Sequence, residues 1–123
     1  MASRKVLLVE DEALVAMVAV ESLNELGFEV SEAPTARAAL EHFGADGAQF
    51  EFAVVDFGLP DCPGEQLIAE LKALRPDLPI IVASGYNEDV LRSRIKLDDR
   101  FAFLNKPYGL ASLQRAIDAL ARD

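Results

Sequence analysis

One cysteine, Cys62, stands in 123 residues, so no internal disulfide can staple the fold. None is needed, because a chain of this length buries a sizeable core without disulfides or structural metal. The lone thiol suits a reducing, cytoplasmic setting. No apolar run approaches the roughly 20 residues that span a bilayer. The opening MASRKVLLVE is short and turns acidic too soon for a signal peptide, so a membrane is not an expected partner. Positive charge is also scarce: 12 Lys and Arg face 21 Asp and Glu, a formal −9. Such a surface repels phosphate backbones, which argues against nucleic acid as a direct partner. Low-complexity tracts, linkers and internal repeats are missing too. What is there, 51% hydrophobic and 27% charged residues, is the composition of one globular domain over residues 1–123.

Within that domain, apolar runs alternate with amphipathic ones. Lys5-Val6-Leu7-Leu8-Val9 is a short continuous run of the kind found in strands buried on both faces. Leu14, Val15, Val18, Leu23 and Leu26 recur at helical spacing, and Gly27 ends that helix. Phe28 to Ala33 alternates like a strand. Thr35 is positioned to cap a helix carrying Ala36, Ala39, Leu40 and Phe43, which Gly44 is expected to stop, leaving a turn over 44–49. Phe52-Ala53-Val54-Val55 is a second buried strand, ending at Asp56. After a loop to Pro63, residues 64–75 predict a helix with Leu67, Ile68, Leu71 and Leu74 inward, closed by Arg75-Pro76.

Pro79 opens a strand over 80–83 that closes on Ser84-Gly85. Between 86 and 100 only Val90, Leu91, Ile95 and Leu97 are apolar, and so thin a face predicts a fourth helix that is short, irregular or mobile. Phe101 to Leu104 and Leu110 to Ala121 supply the last strand and helix. Five βα units predict an α/β fold, a five-stranded parallel sheet with helices on both faces. In such sheets ligands bind beyond the carboxyl ends of the strands.

The predicted strand ends carry the chemistry. Strand one ends in Glu10-Asp11-Glu12, strand three in Asp56, strand four in Ser84-Gly85 and strand five in Asn105-Lys106-Pro107. Three carboxylates gathered at one edge repel one another, and a hard divalent cation relieves this; Mg²⁺ suits one or two carboxylates with waters and a phosphate. Lys106 adds a positive charge and Ser84 a hydroxyl donor. A carboxylate beside Mg²⁺, a lysine and a hydroxyl is a site for forming an aspartyl phosphate, with Asp56 as nucleophile. Taken singly, each residue has a plainer role: Asp11 as a helix cap, Lys106 as a solvated lysine, Ser84 in a turn. Their joint placement favours the site.

In order and spacing these motifs resemble the receiver domain of two-component response regulators, the CheY-like class, over essentially the whole chain. The motifs are Val9-Glu10-Asp11-Glu12, Val55-Asp56-Phe57-Gly58-Leu59-Pro60-Asp61, Val82-Ala83-Ser84-Gly85 and Asn105-Lys106-Pro107-Tyr108. The resemblance implies the flavodoxin-like strand order 2-1-3-4-5. It implies Asp56 as phosphoacceptor, with Lys106 and Ser84 assisting. It also implies a Mg²⁺ site formed by Glu10, Asp11, Asp56 and the Gly58 backbone carbonyl, and a cis Lys106–Pro107 bond. A sensor histidine kinase or histidine phosphotransfer protein would be the donor and an unidentified target the downstream partner. The chain would be no enzyme beyond catalysing its own phosphorylation and dephosphorylation. Pro79 to Tyr86 partly matches a stand-alone subgroup with a Phe-Ala-Thr-Gly-Tyr signature, with Ile81, Val82 and Ser84 departing from it. A stand-alone regulator is thus expected, and the receiver of a hybrid kinase or longer regulator is the alternative.

Phe103 matches the switch-aromatic position, where it can signal only by packing; a plain core or surface aromatic is the other reading. Cys62 is expected to be a partly buried thiol and His42 a solvated side chain. Leu110, Leu113, Ile117 and Leu120 form a core stripe, part of which could help dock a kinase beside the first helix. Three rivals remain. A flavin carrier would find its phosphate repelled by Glu10-Asp11-Glu12. An aspartyl phosphatase would want an acid where Gly58 stands. A phosphate-independent interaction module typically lacks the acidic pair or lysine kept here.

Overall fold

The computed structural model describes residues 4–59, 61–85, 101–106 and 108–120. The expected fourth helix and the Lys106–Pro107 bond lie outside the described residues. Five strands, β1 (Arg4–Val9), β2 (Phe28–Ala33), β3 (Phe50–Asp56), β4 (Ile80–Ser84) and β5 (Phe101–Asn105), form one parallel sheet in the order β2-β1-β3-β4-β5. The described helices are α1 (Ala13–Glu25), α2 (Ala36–Asp46), α3 (Gly64–Leu74) and α4 (Leu110–Leu120).

Strand alternation splits the core into two layers. Leu7, Val9, Ala53, Val55, Ile80 and Val82 point to the face covered by α2 and α3. Val6, Leu8, Phe52, Val54, Ile81 and Ala83 point to the face covered by α1 and α4. With both faces covered, β1, β3 and β4 can be apolar at every core position, which is why they read as continuous runs. The edge strand β2 buries Phe28 and Ala33 and exposes Glu29 and Glu32, since an edge strand is not covered along its whole length.

Local chemistry explains most helix ends. The Thr35 hydroxyl accepts a hydrogen bond from Ala38 N at 3.1 Å, capping α2 as expected. Gly27 adopts φ +95°, the left-handed conformation that closes α1 without steric cost. Gly64 opens α3 where a Cβ would lie 2.6 Å from the Phe57 backbone, so only glycine fits.

Four expectations need correction. Gly44 does not stop α2, which continues to Asp46 and runs into a 3₁₀ turn over Gly47–Gln49. A single glycine weakens a helix by only about 1 kcal/mol, and the buried Phe43 anchors this turn to the core. In α1 the buried residues are Ala16, Ala19, Ser22 and Leu23, while Leu14, Met17 and Val18 are exposed. Small alanines let α1 pack close to the sheet, so its bulkier side chains face outward. Leu74, at the end of α3, is exposed rather than inward. Leu110, expected in the core stripe of the last helix, is exposed; His42, by contrast, keeps an exposed contact, its Nε2 3.0 Å from the Glu32 carbonyl oxygen, in keeping with a solvated side chain.

Candidate functional site

Strand register assembles the site. Val9 lies opposite Ala33 and Val55, Asp56 opposite Ala83, and Ser84 opposite Asn105, so the carboxyl ends of the four central and edge strands β1, β3, β4 and β5 share one rim. Ladder-type hydrogen bonds continue past the strands: Glu10 N to Ala33 O (3.0 Å), Phe57 N to Ala83 O (2.9 Å) and Lys106 N to Ser84 O (2.8 Å). These bonds fix the backbone on which the reactive side chains stand.

At this rim Glu10, Asp11, Glu12 and Asp56 each bring a carboxylate oxygen within 4.8 Å of the others. Glu10 and Asp56 are buried, Asp11 and Glu12 exposed. Lys106 Nζ enters the group, 2.7 Å from Glu12 Oε1, 3.3 Å from Glu10 Oε1 and 3.4 Å from Asp56 Oδ2. Glu12 N donates to Glu10 Oε2 at 3.0 Å, and Gly58 N to Asp56 Oδ1 at 3.1 Å. Ser84 is buried at the end of β4, on the strand beside Asp56.

One lysine cannot balance four carboxylates, and the proton affinities show it. Burial pushes Glu10 up to about 7, with the negative charge of Asp56 adding to the shift. Hydrogen bonding to Asp56 raises Asp11, with partial burial second. For Lys106 burial acts to lower the affinity, but the Glu12 hydrogen bond and the charges of Asp56 and Glu10 outweigh it and hold the ammonium firmly protonated. Among the described residues, Glu10 Oε1 is buried and makes no hydrogen bond, its 3.3 Å contact with Lys106 Nζ being an ion pair alone. An all-oxygen donor set with excess negative charge fits a hard divalent cation.

Glu10, Asp11, Asp56 and Lys106 thus come together as the sequence predicts, with the Gly58 amide on Asp56 and Ser84 on the adjacent strand. Three participants were not anticipated. Glu12 makes the shortest contact to Lys106. Tyr108 buries its ring with a hydroxyl unpartnered among the described residues, and burial raises its affinity for its proton, the nearby Glu10 charge adding to that. Asp61 accepts from Ala36 N (3.0 Å) and Arg37 N (3.2 Å) at the start of α2. Glu12 was legible as a neighbour of Glu10 and Asp11; the partner of Asp61, 25 residues away, was not. Beside the acids, an open groove of about 470 Å³ runs along α1, floored by Ala13, Ala16, Met17 and Val20.

The sequence matches the response regulator receiver domain family over residues 6–118. It is 37% identical over 115 residues to the sensor kinase CckA of Brucella abortus, covering 94% of this chain and 12% of that protein. It is 33% identical over 120 residues to the DNA-binding transcriptional regulator NtrC of Azospirillum brasilense, covering 96% and 24%. Among solved structures, a CheY-like receiver domain protein from Methanospirillum hungatei aligns with a TM-score of 0.80 at 26% identity, over 98% of this chain and 95% of that one. The receiver domain of the hybrid histidine kinase CckA aligns with a TM-score of 0.78 at 24% identity, over 96% and 99%. The chain belongs to the response regulator receiver domain family of two-component signalling. It spans only 12% and 24% of the length of those two curated relatives.

Proposed function

We propose that Asp56 accepts a phosphoryl group from the phosphohistidine of a sensor histidine kinase or a histidine phosphotransfer protein. The observation that carries this is the Asp56 carboxylate, buried at the strand-end rim and held between the Lys106 ammonium and three further acids. An Asp56 oxygen attacks phosphorus, the N–P bond to the donor histidine breaks, and that nitrogen keeps the electron pair and takes a proton. Lys106 offsets charge developing on the phosphoryl oxygens. Gly58 N steadies one Asp56 oxygen through its 3.1 Å bond, leaving the other for attack. Ser84 donates its hydroxyl to a phosphoryl oxygen in the product.

Glu10, Asp11, Asp56 and the Gly58 carbonyl would hold Mg²⁺, which supplies Lewis-acid charge neutralisation there. The new phosphoryl charge, about −1.5 to −2, biases partner binding. We assign no enzymatic activity on other molecules. The exposed Leu14, Met17 and Val18 of α1, next to the acids, support docking of the donor at this helix.

The reading carries a cytoplasmic setting and no contact with nucleic acid or membrane. A stand-alone regulator is the working assignment; the native mass of the protein in its own cells separates it from a receiver within a hybrid kinase or longer regulator. Mg²⁺ with beryllofluoride tests the acceptor role. Backbone amide resonances around the rim should shift in the wild type and stay put in Asp56→Asn. Equal shifts in both proteins, or none in either, would defeat it.

A further inference from the structure

The loop from Phe57 to Pro63 leaves the acceptor strand and carries Gly58. Besides the Phe57 N–Ala83 O bond at 2.9 Å, three contacts tie its described residues. Gly58 N donates to Asp56 Oδ1, and Gly64 N donates to Phe57 O at 3.1 Å, with no room for a Cβ at Gly64. The third tie is of a different kind. Asp61 spends both carboxylate oxygens on the backbone amides of Ala36 and Arg37, at 3.0 and 3.2 Å, on the far side of β1 in the sheet order. Thr35 caps α2 through Ala38 N alone, so the two amides before it, Ala36 N and Arg37 N, are left for Asp61. What Asp61 adds is a cross-link between the loop bearing Gly58 and the α2 end of the sheet.

We propose that Asp61 is a positioning residue for the cation site, anchoring the Phe57–Pro63 loop on the first amides of α2 so that the Gly58 carbonyl is held where a metal ligand must be. This rests on the reading of Gly58 as a ligand. Two anionic oxygens on two amides make charge-assisted bonds at a positive helix end, an anchor stiffer than a neutral one. Residues that orient metal ligands commonly set affinity by about 10-fold or more.

The test measures divalent-ion affinity in the purified chain, following free Mn²⁺ by its paramagnetic resonance and competing it with Mg²⁺. Asp61→Ala should weaken both ions about 10-fold, and Asp61→Asn, which keeps one acceptor, should fall between it and wild type. Amide exchange at Gly58 and Leu59 should quicken in Asp61→Ala without metal. Thr35→Ala loosens the same helix end without touching the loop and should leave ion affinity unchanged. Wild-type affinity in Asp61→Ala overturns the inference alone, as does an equal loss in Thr35→Ala, which would reduce Asp61 to general support of α2. If wild type binds neither ion, this inference and the metal-dependent acceptor reading fall together.

Discussion

Lys106 meets three carboxylates with a single charge, nearest to the exposed Glu12 and only slightly farther from the buried Glu10 and Asp56. The exposed pair is worth little on its own, since water competes for both partners. The buried pairings matter more, because neither Glu10 nor Asp56 can turn to solvent. Asp61 is the opposite case, an exposed acid whose partners are backbone amides. Its bonds to Ala36 N, then to Arg37 N, hold its carboxyl below the usual range, with the Arg37 charge assisting. A carboxyl lowered in the folded state contributes stability that is present above its unfolded value of 3.8 and is lost as pH falls through the folded value. The stability gap between wild type and Asp61→Asn should therefore be full at pH 6 and shrink below about pH 4. Urea unfolding of both proteins from pH 6 to pH 3 measures it, and a gap that widens on acidification contradicts the account.

Helix α1 divides its apolar side chains between the core and solvent. The apolar spacing was legible, but which residues face the sheet was not. Leu14 and Val18 share helical spacing with Leu23, yet Leu14 is 76% exposed and Leu23 fully buried. Ala16, Ala19 and Leu23 sit in the core layer with Val6, Leu8 and Phe28, and Leu14, Met17 and Val18 lie on the side of the helix turned away from it. Leu23→Ala should cost about 2–5 kcal/mol through lost burial and a cavity, whereas Leu14→Ala should change stability by less than about 0.5 kcal/mol. Denaturant midpoints measure both. A costly Leu14→Ala would mean that this face is structural rather than available to a phosphodonor. Leu74 shows the same divide in α3: the last residue of the helix, one turn past the buried Leu71, is exposed.

At the scale of the molecule, −9 formal charges are spread over the surface while four acids converge at one rim. That concentration stores repulsion which a bound cation releases. Mg²⁺ at about 100 times its dissociation constant should add about 2.7 kcal/mol to the unfolding free energy. Asp56→Asn should raise metal-free stability by about 1 kcal/mol, because relief of its repulsion with Glu10 and Asp11 outweighs the lost contact to Lys106, which keeps Glu10 and Glu12 as partners, and should reduce the gain from Mg²⁺. Urea unfolding with EDTA and with Mg²⁺ checks both, and a chain indifferent to Mg²⁺ would contradict the cation site.

The sequence by itself determined the five strands, because the central strands covered on both faces are apolar throughout and the edge strands are short runs that mix apolar with polar residues, and it determined which residues end them. Glu10, Asp11, Asp56, Ser84 and Lys106 were legible as strand-end residues for that reason, and their motifs carried the strand order. Only the tertiary structure decided what those residues touch: that Lys106 leans most closely on Glu12, that Leu14 and Leu74 face water, that α2 runs past Gly44, and that Asp61 reaches across to Ala36 and Arg37. Periodicity reports a residue's immediate surroundings along one element. Contacts between groups 25 or 94 positions apart depend on how the elements pack, and no local pattern encodes that.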